Sequence, residues 1–167
     1  MDDLFGDNNS GAEFSECGKY RYKLWRIWDD KLPMAMCIGL NPSTANADKN
    51  DPTINILRRT LSGLGYGGFY MTNLFAIISS KPEVLLTCPD SLGDNDSKLK
   101  EVQAICKDVI VCWGNFKQAE ERIKAVLPNY KNALCFGRNA NGTPMHPMAL
   151  MYGGVKNPQL VPYIEWG

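Results

Sequence analysis

The stretch Ala35-Met36-Cys37-Ile38-Gly39-Leu40-Asn41-Pro42-Ser43-Thr44 constrains this chain more than any other. Its first half is a run of small apolar residues, and its second half is a cluster of turn formers. An apolar run bounded by turn formers fits a strand covered on both faces. The abrupt stop puts an amide side chain, two hydroxyls and several backbone N–H groups at the carboxyl end of that strand. In open α/β sheets, ligands collect just beyond such ends.

The rest of the chain supplies neighbours for this strand. Residues 1–13 are acidic, Asn/Gly-rich and unpatterned, and are expected to form a flexible N-terminal arm ahead of a single domain over residues 14–167. Phe14 to Trp28 alternates aromatic and aliphatic residues with lysines and arginines, which predicts a half-exposed strand or hairpin. Lys19, Arg21 and Lys23 then share one face. That face is either a solvated edge guarded by cations or a strip that contacts phosphate.

Asp51 and Pro52 read as the cap and first turn of a helix. Over Thr53–Leu64 the helical period sets Ile54, Leu57, Leu61 and Leu64 on one side. Strands are expected at Phe69–Ala76, Asp108–Gly114 and Ala133–Gly137. A helical turn is expected at Pro82–Leu86, and helices at Asn95–Cys106 and Phe116–Val126. Strands alternating with helices predict an α/β fold: a three-layer α/β/α sandwich around a mainly parallel central sheet.

Composition narrows the function classes. With 167 residues, 44% hydrophobic and 22% charged, the chain suits one soluble globular domain. No apolar run reaches the ~18–20 residues a membrane span needs. The acidic opening Met1-Asp2-Asp3-Leu4 is unlike a signal peptide, so a cytoplasmic location, with no membrane partner, is expected. Eighteen basic residues balance eighteen acidic ones, which argues against reliance on nonspecific DNA contacts. Six cysteines without a CxxC, and a single histidine, give no zinc ligand pattern and no thiolate set for an iron–sulfur cluster. Reduced, mostly buried thiols are expected, and neither a metal nor a cofactor. Walker, zinc-deaminase and nucleophile-elbow signatures are absent.

Several expected strands end in polar or punctuating residues: Asn41-Pro42-Ser43-Thr44, Thr72-Asn73, Trp113-Gly114 and Gly137-Arg138-Asn139. His146 follows soon after. In a parallel sheet these ends share one rim. An Asn carboxamide offers an acceptor and two donors, enough to hold a water or read a base edge. A His can donate to a leaving anion or move a proton. Taken singly, Asn41 also suits a turn before Pro42, Asn73 a strand cap and His146 a structural contact. Arg58 and Arg59, with Lys19, Arg21 and Lys23, are candidates for the mouth of such a site.

Leu40–Ala45, Asp51–Ile54, Asn73–Ala76, Trp113-Gly114 and His146-Pro147 resemble the hallmarks of an uncharacterised domain-of-unknown-function family of bacteria and phages. That resemblance covers roughly Tyr20 to Tyr152. More distantly, the layout is similar to the uracil-DNA glycosylase superfamily. Gly39-Leu40-Asn41-Pro42-Ser43 resembles its GINPG motif, Thr72-Asn73-Leu74 its base-reading strand, and His146-Pro147-Met148-Ala149-Leu150 its HPSPL motif.

The superfamily resemblance implies a glycosylase-like fold and a monofunctional N-glycosylase that removes a damaged or modified pyrimidine. Asn41 would hold the attacking water and His146 would stabilise the departing base. Asn73 would pair with the extruded base, and Leu150 would fill the vacated stack. Gly39, Pro42, Ser43, Thr44, Trp113 and Gly114 would complete the substrate site. No aromatic lies between Asn41 and Tyr66, so Tyr66 or Phe75 would have to stack on the base. The serine of HPSP is replaced, and Asp48 and Asp51 bring acid near the pocket. Two alternatives stay open. One is a non-catalytic module, related to phage or defence biology, that binds DNA, a nucleotide or a nucleobase. The other is an enzyme that processes a hypermodified base, with Asp48 or Asp51 as general base or metal contact.

Overall fold

Met34–Gly39, the apolar run, forms a strand (β3) in the middle of a seven-stranded sheet. The computed structural model describes residues 9–152 and 157–163. The other strands are Asn9–Phe14 (β1), Arg21–Ile27 (β2), Gly68–Asn73 (β4), Asp108–Val111 (β5), Leu134–Cys135 (β6) and Val161–Pro162 (β7). Their order is β1-β2-β4-β3-β5-β6-β7.

The fold is α/β, but the sheet is mixed rather than mainly parallel. The pairs β4–β3, β3–β5 and β5–β6 are parallel, whereas β1–β2, β2–β4 and β6–β7 are antiparallel. Connection length explains the β1–β2 hairpin. Parallel neighbours need a crossover of a dozen or more residues, while a short loop can only return antiparallel. Ser15–Tyr20 is such a loop; the N–H groups of Tyr20 and Gly18 bond to Ser15, and the hairpin β1–β2 then caps the β4 edge. Residues 9–13, expected in a flexible arm, are part of β1. Residues 1–8 of that expected arm lie outside the described residues.

Side chains alternate across β3, as strand geometry requires. Ala35 and Cys37 join Phe69, Met71, Ile110 and Cys112 on one face, against Ile54, Leu57 and Leu61 of Pro52–Gly63 (α1) and Leu150 of Met148–Tyr152 (α5). Met36 and Ile38 join Val111, Trp113 and Cys135 on the other, against Leu99 and Val102 of Asn95–Gln103 (α3) and Val126 of Glu120–Val126 (α4). Cover on both faces is why the run reads as continuously apolar. Cys37, Cys112 and Cys135 are buried free thiols. Truncating a core leucine such as Leu57 or Leu61 to Ala costs about 2–5 kcal/mol.

Asp51 caps α1, its Oδ1 accepting from Ile54 N at 2.9 Å, with Pro52 in the first turn. A short helix, Val84–Thr87 (α2), follows β4. The helix expected at Phe116–Val126 opens as a 3-10 turn at Lys117–Ala119 before becoming α4. The strand expected at Ala133–Gly137 shrinks to the two residues of β6. No described helix is long and apolar enough to cross a membrane.

One consequence of the chain path locates the site. After β3 the chain runs through α1 on the first face; after β5 it runs through α4 on the second. The loops leaving these adjacent strands therefore part, and a crevice opens at their carboxyl ends.

Candidate functional site

The crevice holds a cavity of about 250 Å³. That is smaller than the ~300–1,000 Å³ of drug-sized sites and suits a small planar molecule. Asn41 and its loop, Asn73 at the end of β4, Trp113 just beyond β5 and His146 just before α5 all border it. So do Gly39, Pro42 and Ser43.

Asn73 is the most constrained of these groups. It is 2% exposed, and neither its Oδ1 nor its Nδ2 has a hydrogen-bond partner among the described residues. Its placement depends on Gly39, its register partner on β3. A Cβ on Gly39 would fall 2.8 Å from Asn73 Oδ1 and 2.6 Å from Met71 Cε, so glycine makes the room that the carboxamide occupies. From behind, Asn95 Nδ2 donates to the carbonyls of Asn73 at 2.8 Å and Leu74 at 3.2 Å. Arg122 Nε also donates to Leu74 O, at 2.8 Å.

Asn41 is held differently. Its Nδ2 donates to Pro42 O at 3.1 Å and Ser79 O at 2.8 Å, tying the loop after β3 to the loop after β4. Its side-chain oxygen is the polar atom left for a ligand or water. His146 Nδ1 accepts from Met148 N at 3.0 Å, so the neutral ring carries its proton on Nε2. Burial lowers the His146 pKa, partly opposed by the Asp51 carboxylate. At neutral pH the group is therefore an uncharged N–H donor. Trp113 is 2% exposed, its indole N–H has no partner among the described residues, and its ring meets Tyr163 edge-on at 82°.

Arg21 does not lie where alternation puts it. Phe14 pairs with Arg21 and Glu13 with Lys23, so Tyr22 is an extra residue, a β-bulge in β2. Bulges re-aim side chains. Lys23 stays on the α3 side, where it and Lys98 flank Glu13 at 3.6 and 2.6 Å. Arg21 turns to the α1 side instead, 3% exposed, with one terminal nitrogen (Nη1) donating to Ala45 O at 3.0 Å and its Nε unpartnered among the described residues. Burial pushes its pKa down to about 10, opposed by the nearby Asp51 carboxylate, so it remains a cation at neutral pH. Arg26, also buried, donates to Asn46 O at 2.6 Å and Asn50 Oδ1 at 2.8 Å. Together the two arginines clamp the loop that delivers Asp51 to the cavity wall.

Lys19, Arg21 and Lys23 therefore form no common strip, and Arg21 alone of the five cation candidates borders the cavity. Arg58 lies over the Trp28 ring at 4.8 Å, and Arg59 borders a different hollow. Asp48 and Thr44 are exposed and outside the lining. Gly114 lies outside it too, but its positive φ of 79° places it against the His146 side chain.

Three expected substrate contacts sit elsewhere. Tyr66 is at the opposite rim, its hydroxyl donating to Asp108 Oδ2 at 2.6 Å; burial and that carboxylate raise its pKa. It follows α1 and precedes β4, which places it at the amino ends of the parallel strands. Phe75 packs on the α3 side, among Leu40 and Tyr70. Leu150 is 5% exposed, packed among the α1 side chains, so it is no free wedge. The aromatic that borders the cavity is Trp113. Arg21 and Asp51, named from the sequence as candidates for the mouth and for an acid near the pocket, both line the cavity, and Thr53, Met71, Ser79 and Pro82 are lining residues that the sequence reading did not assign to it. Among the described residues, no three His, Cys, Asp or Glu side chains gather as metal ligands.

Chemically, the cavity combines an open carboxamide, a neutral imidazole donor, an amide oxygen, a carboxylate and a buried guanidinium. A family described as a protein of unknown function (DUF1643) matches residues 21–148. No curated protein and no solved structure matches the chain.

Proposed function

The chain belongs to the DUF1643 family, whose description carries no activity, and from the geometry of its cavity we propose that it hydrolyses the N-glycosidic bond of a damaged or modified pyrimidine. One observation carries the proposal: the Asn73 carboxamide is buried in the cavity with both of its polar atoms unpaired. Leaving a buried polar group unsatisfied costs roughly 1–3 kcal/mol. A carboxamide matches the adjacent N–H and C=O of a pyrimidine edge, one acceptor to one donor in each direction.

The chemistry follows from the neighbours. As the bond from sugar carbon to base nitrogen breaks, its electron pair passes to the base. His146 Nε2–H and the Arg21 cation stabilise that developing anion. The sugar carbon, now oxocarbenium-like, takes the oxygen of a water held by Asn41 Oδ1. The Asp51 carboxylate accepts the proton that water loses; its Oδ1 caps α1, and its other oxygen accepts no hydrogen bond among the described residues. Helices on both faces of the sheet and polar strand ends on one rim support a three-layer arrangement of the uracil-DNA glycosylase type.

A second reading, binding of a nucleobase or nucleotide without cleavage, is favoured by the burial of Leu150. With no wedge to fill a vacated stack, a base already outside a duplex suits the cavity better. One experiment separates the two. Purified protein is incubated with single-stranded and duplex oligonucleotides containing uracil or hydroxymethyluracil, and abasic sites are measured by alkaline cleavage. Abasic sites that disappear in Asn73→Ala and His146→Ala support hydrolysis. Saturable nucleoside binding in calorimetry, lost in Asn73→Ala but without product, supports recognition alone. Neither product nor binding from a folded protein overturns both.

A further inference from the structure

Arg21 is the one cation in the wall of the Asn73 cavity. It is 3% exposed, and it reaches that wall through the bulge at Tyr22 rather than by strand alternation. Among the described residues its side chain makes one hydrogen bond, from Nη1 to Ala45 O at 3.0 Å, and Nε has no partner. That acceptor is a main-chain carbonyl and carries no charge. No carboxylate forms an ion pair with Arg21 among the described residues. Desolvating a guanidinium is unfavourable, and an opposite charge in contact is what offsets it.

Asp51 is the acid whose charge Arg21 feels, but Asp51 has another partner. Its Oδ1 accepts from Ile54 N as the cap of α1. That helix, twelve residues long, brings its amino end to the same wall, with Thr53 and Ile54 in the lining. A helix amino end has positive character. Asp51 therefore offsets the helix end first, and the Arg21 charge stays open to the cavity. A guanidinium takes a carboxylate or a phosphate through two parallel N–H···O bonds. A neutral pyrimidine would leave the charge unmatched, whereas an acidic one completes the pair.

We propose that the ligand of the Asn73 cavity carries an oxyanion of its own, a carboxylate on the pyrimidine ring or a phosphate on its sugar, and that Arg21 receives it. The proposal rests on the reading of this cavity as a nucleobase site. Ala45 O occupies one N–H of the guanidinium. The others serve both the oxyanion and the ring edge that gains the departing electron pair.

Calorimetry on the purified protein would compare charged and uncharged probes of like shape. Uracil-5-carboxylate and uracil-6-carboxylate are set against the matching carboxamides, and deoxyuridine monophosphate against deoxyuridine. At least one charged probe is expected to bind about tenfold or more tighter than its neutral partner, the yield of a charge-assisted contact. The pair that shows the gain tells whether the oxyanion rides on the base or on the sugar. High salt is expected to leave most of the gain, because a buried pair is screened less than a surface one. Arg21→Gln, which removes the charge, is expected to abolish it. Arg21→Lys keeps a charge but loses the flat two-pronged fork, and is expected to keep only part of it. Thermal unfolding confirms the fold of each variant, and the comparison on the unaltered protein stands whether or not a variant folds.

Equal affinity for charged and neutral partners overturns this inference while leaving the Asn73 site standing. So does a gain that high salt abolishes, or one that a folded Arg21→Gln protein retains. Failure of every probe to bind, charged or neutral, overturns the nucleobase reading and this inference with it.

Discussion

Asn95 Nδ2 donates to the main-chain carbonyl of Asn73 across 2.8 Å, from a position with no solvent exposure. The cavity-facing carboxamide is therefore positioned through its own backbone by a second carboxamide one helix away. Asn95→Leu would leave the Asn73 carbonyl without that donor, while Leu74 O keeps Arg122. Stability is expected to fall by about 1–3 kcal/mol in urea denaturation. Nucleoside affinity is expected to fall in excess of the unfolded fraction. Unchanged binding by a folded variant would remove Asn95 from the positioning role.

Asn73 itself sets function against stability. Its two unpaired polar atoms cost free energy that an apolar side chain of similar shape would not. Asn73→Leu is expected to stabilise the protein by about 1–3 kcal/mol while abolishing ligand binding. Chemical denaturation and calorimetry on the same preparation would check both. A destabilised variant would mean that the amide is satisfied in the free protein.

Gly39 controls the same side chain from the neighbouring strand. The Cβ of Gly39→Ala would meet Met71 Cε at 2.6 Å and Asn73 Oδ1 at 2.8 Å. Met71 can rotate its terminal methyl aside, but the short Asn73 side chain must swing as a whole. The expected result is a modest loss of stability, about 1–3 kcal/mol, with a disproportionate loss of nucleoside affinity. Titration of the folded variant would measure it.

His146 makes stability depend on pH. Burial holds its folded pKa below the ordinary value of 6.5, so between the two the unfolded chain binds more protons than the folded one. Stability is therefore retained above about pH 6.5 and falls as pH drops toward the folded pKa. Urea denaturation between pH 7.5 and 5 is expected to show a slope that His146→Gln reduces. An unchanged slope in the variant would place the titration elsewhere.

How much of this was legible depended on whether local chemistry or long-range pairing decided each feature. Asn41, Asn73 and His146 meet at one cavity because punctuated strands laid parallel bring their ends to one rim, and punctuation is visible in sequence. The Asp51 cap was legible for the same reason: its hydrogen bond to Ile54 is local. The antiparallel edges were not, because they depend on where the hairpin β1–β2 and the short β7 dock. Leu150 was misplaced by motif likeness, which records residue type but not what packs on it. Tyr66 was misplaced because a search for the next aromatic in sequence ignores which rim a loop serves. Arg21 was legible as a candidate for the site's mouth, but its separation from Lys23 was not, since its direction depends on a partner strand that offers one residue fewer than β2 supplies.

That mismatch at Tyr22 has a wider consequence. The electrical character of the cavity depends on the length of one strand segment as well as on the identity of its residues. Supplying the missing partner between Glu13 and Phe14 would restore strict alternation and keep every arginine in the chain, yet turn Arg21 to the face of Lys23 and Lys98, leaving Asp51 to give the hollow a negative sign. An insertion in β1, far from any motif, would then change which ligands the cavity admits.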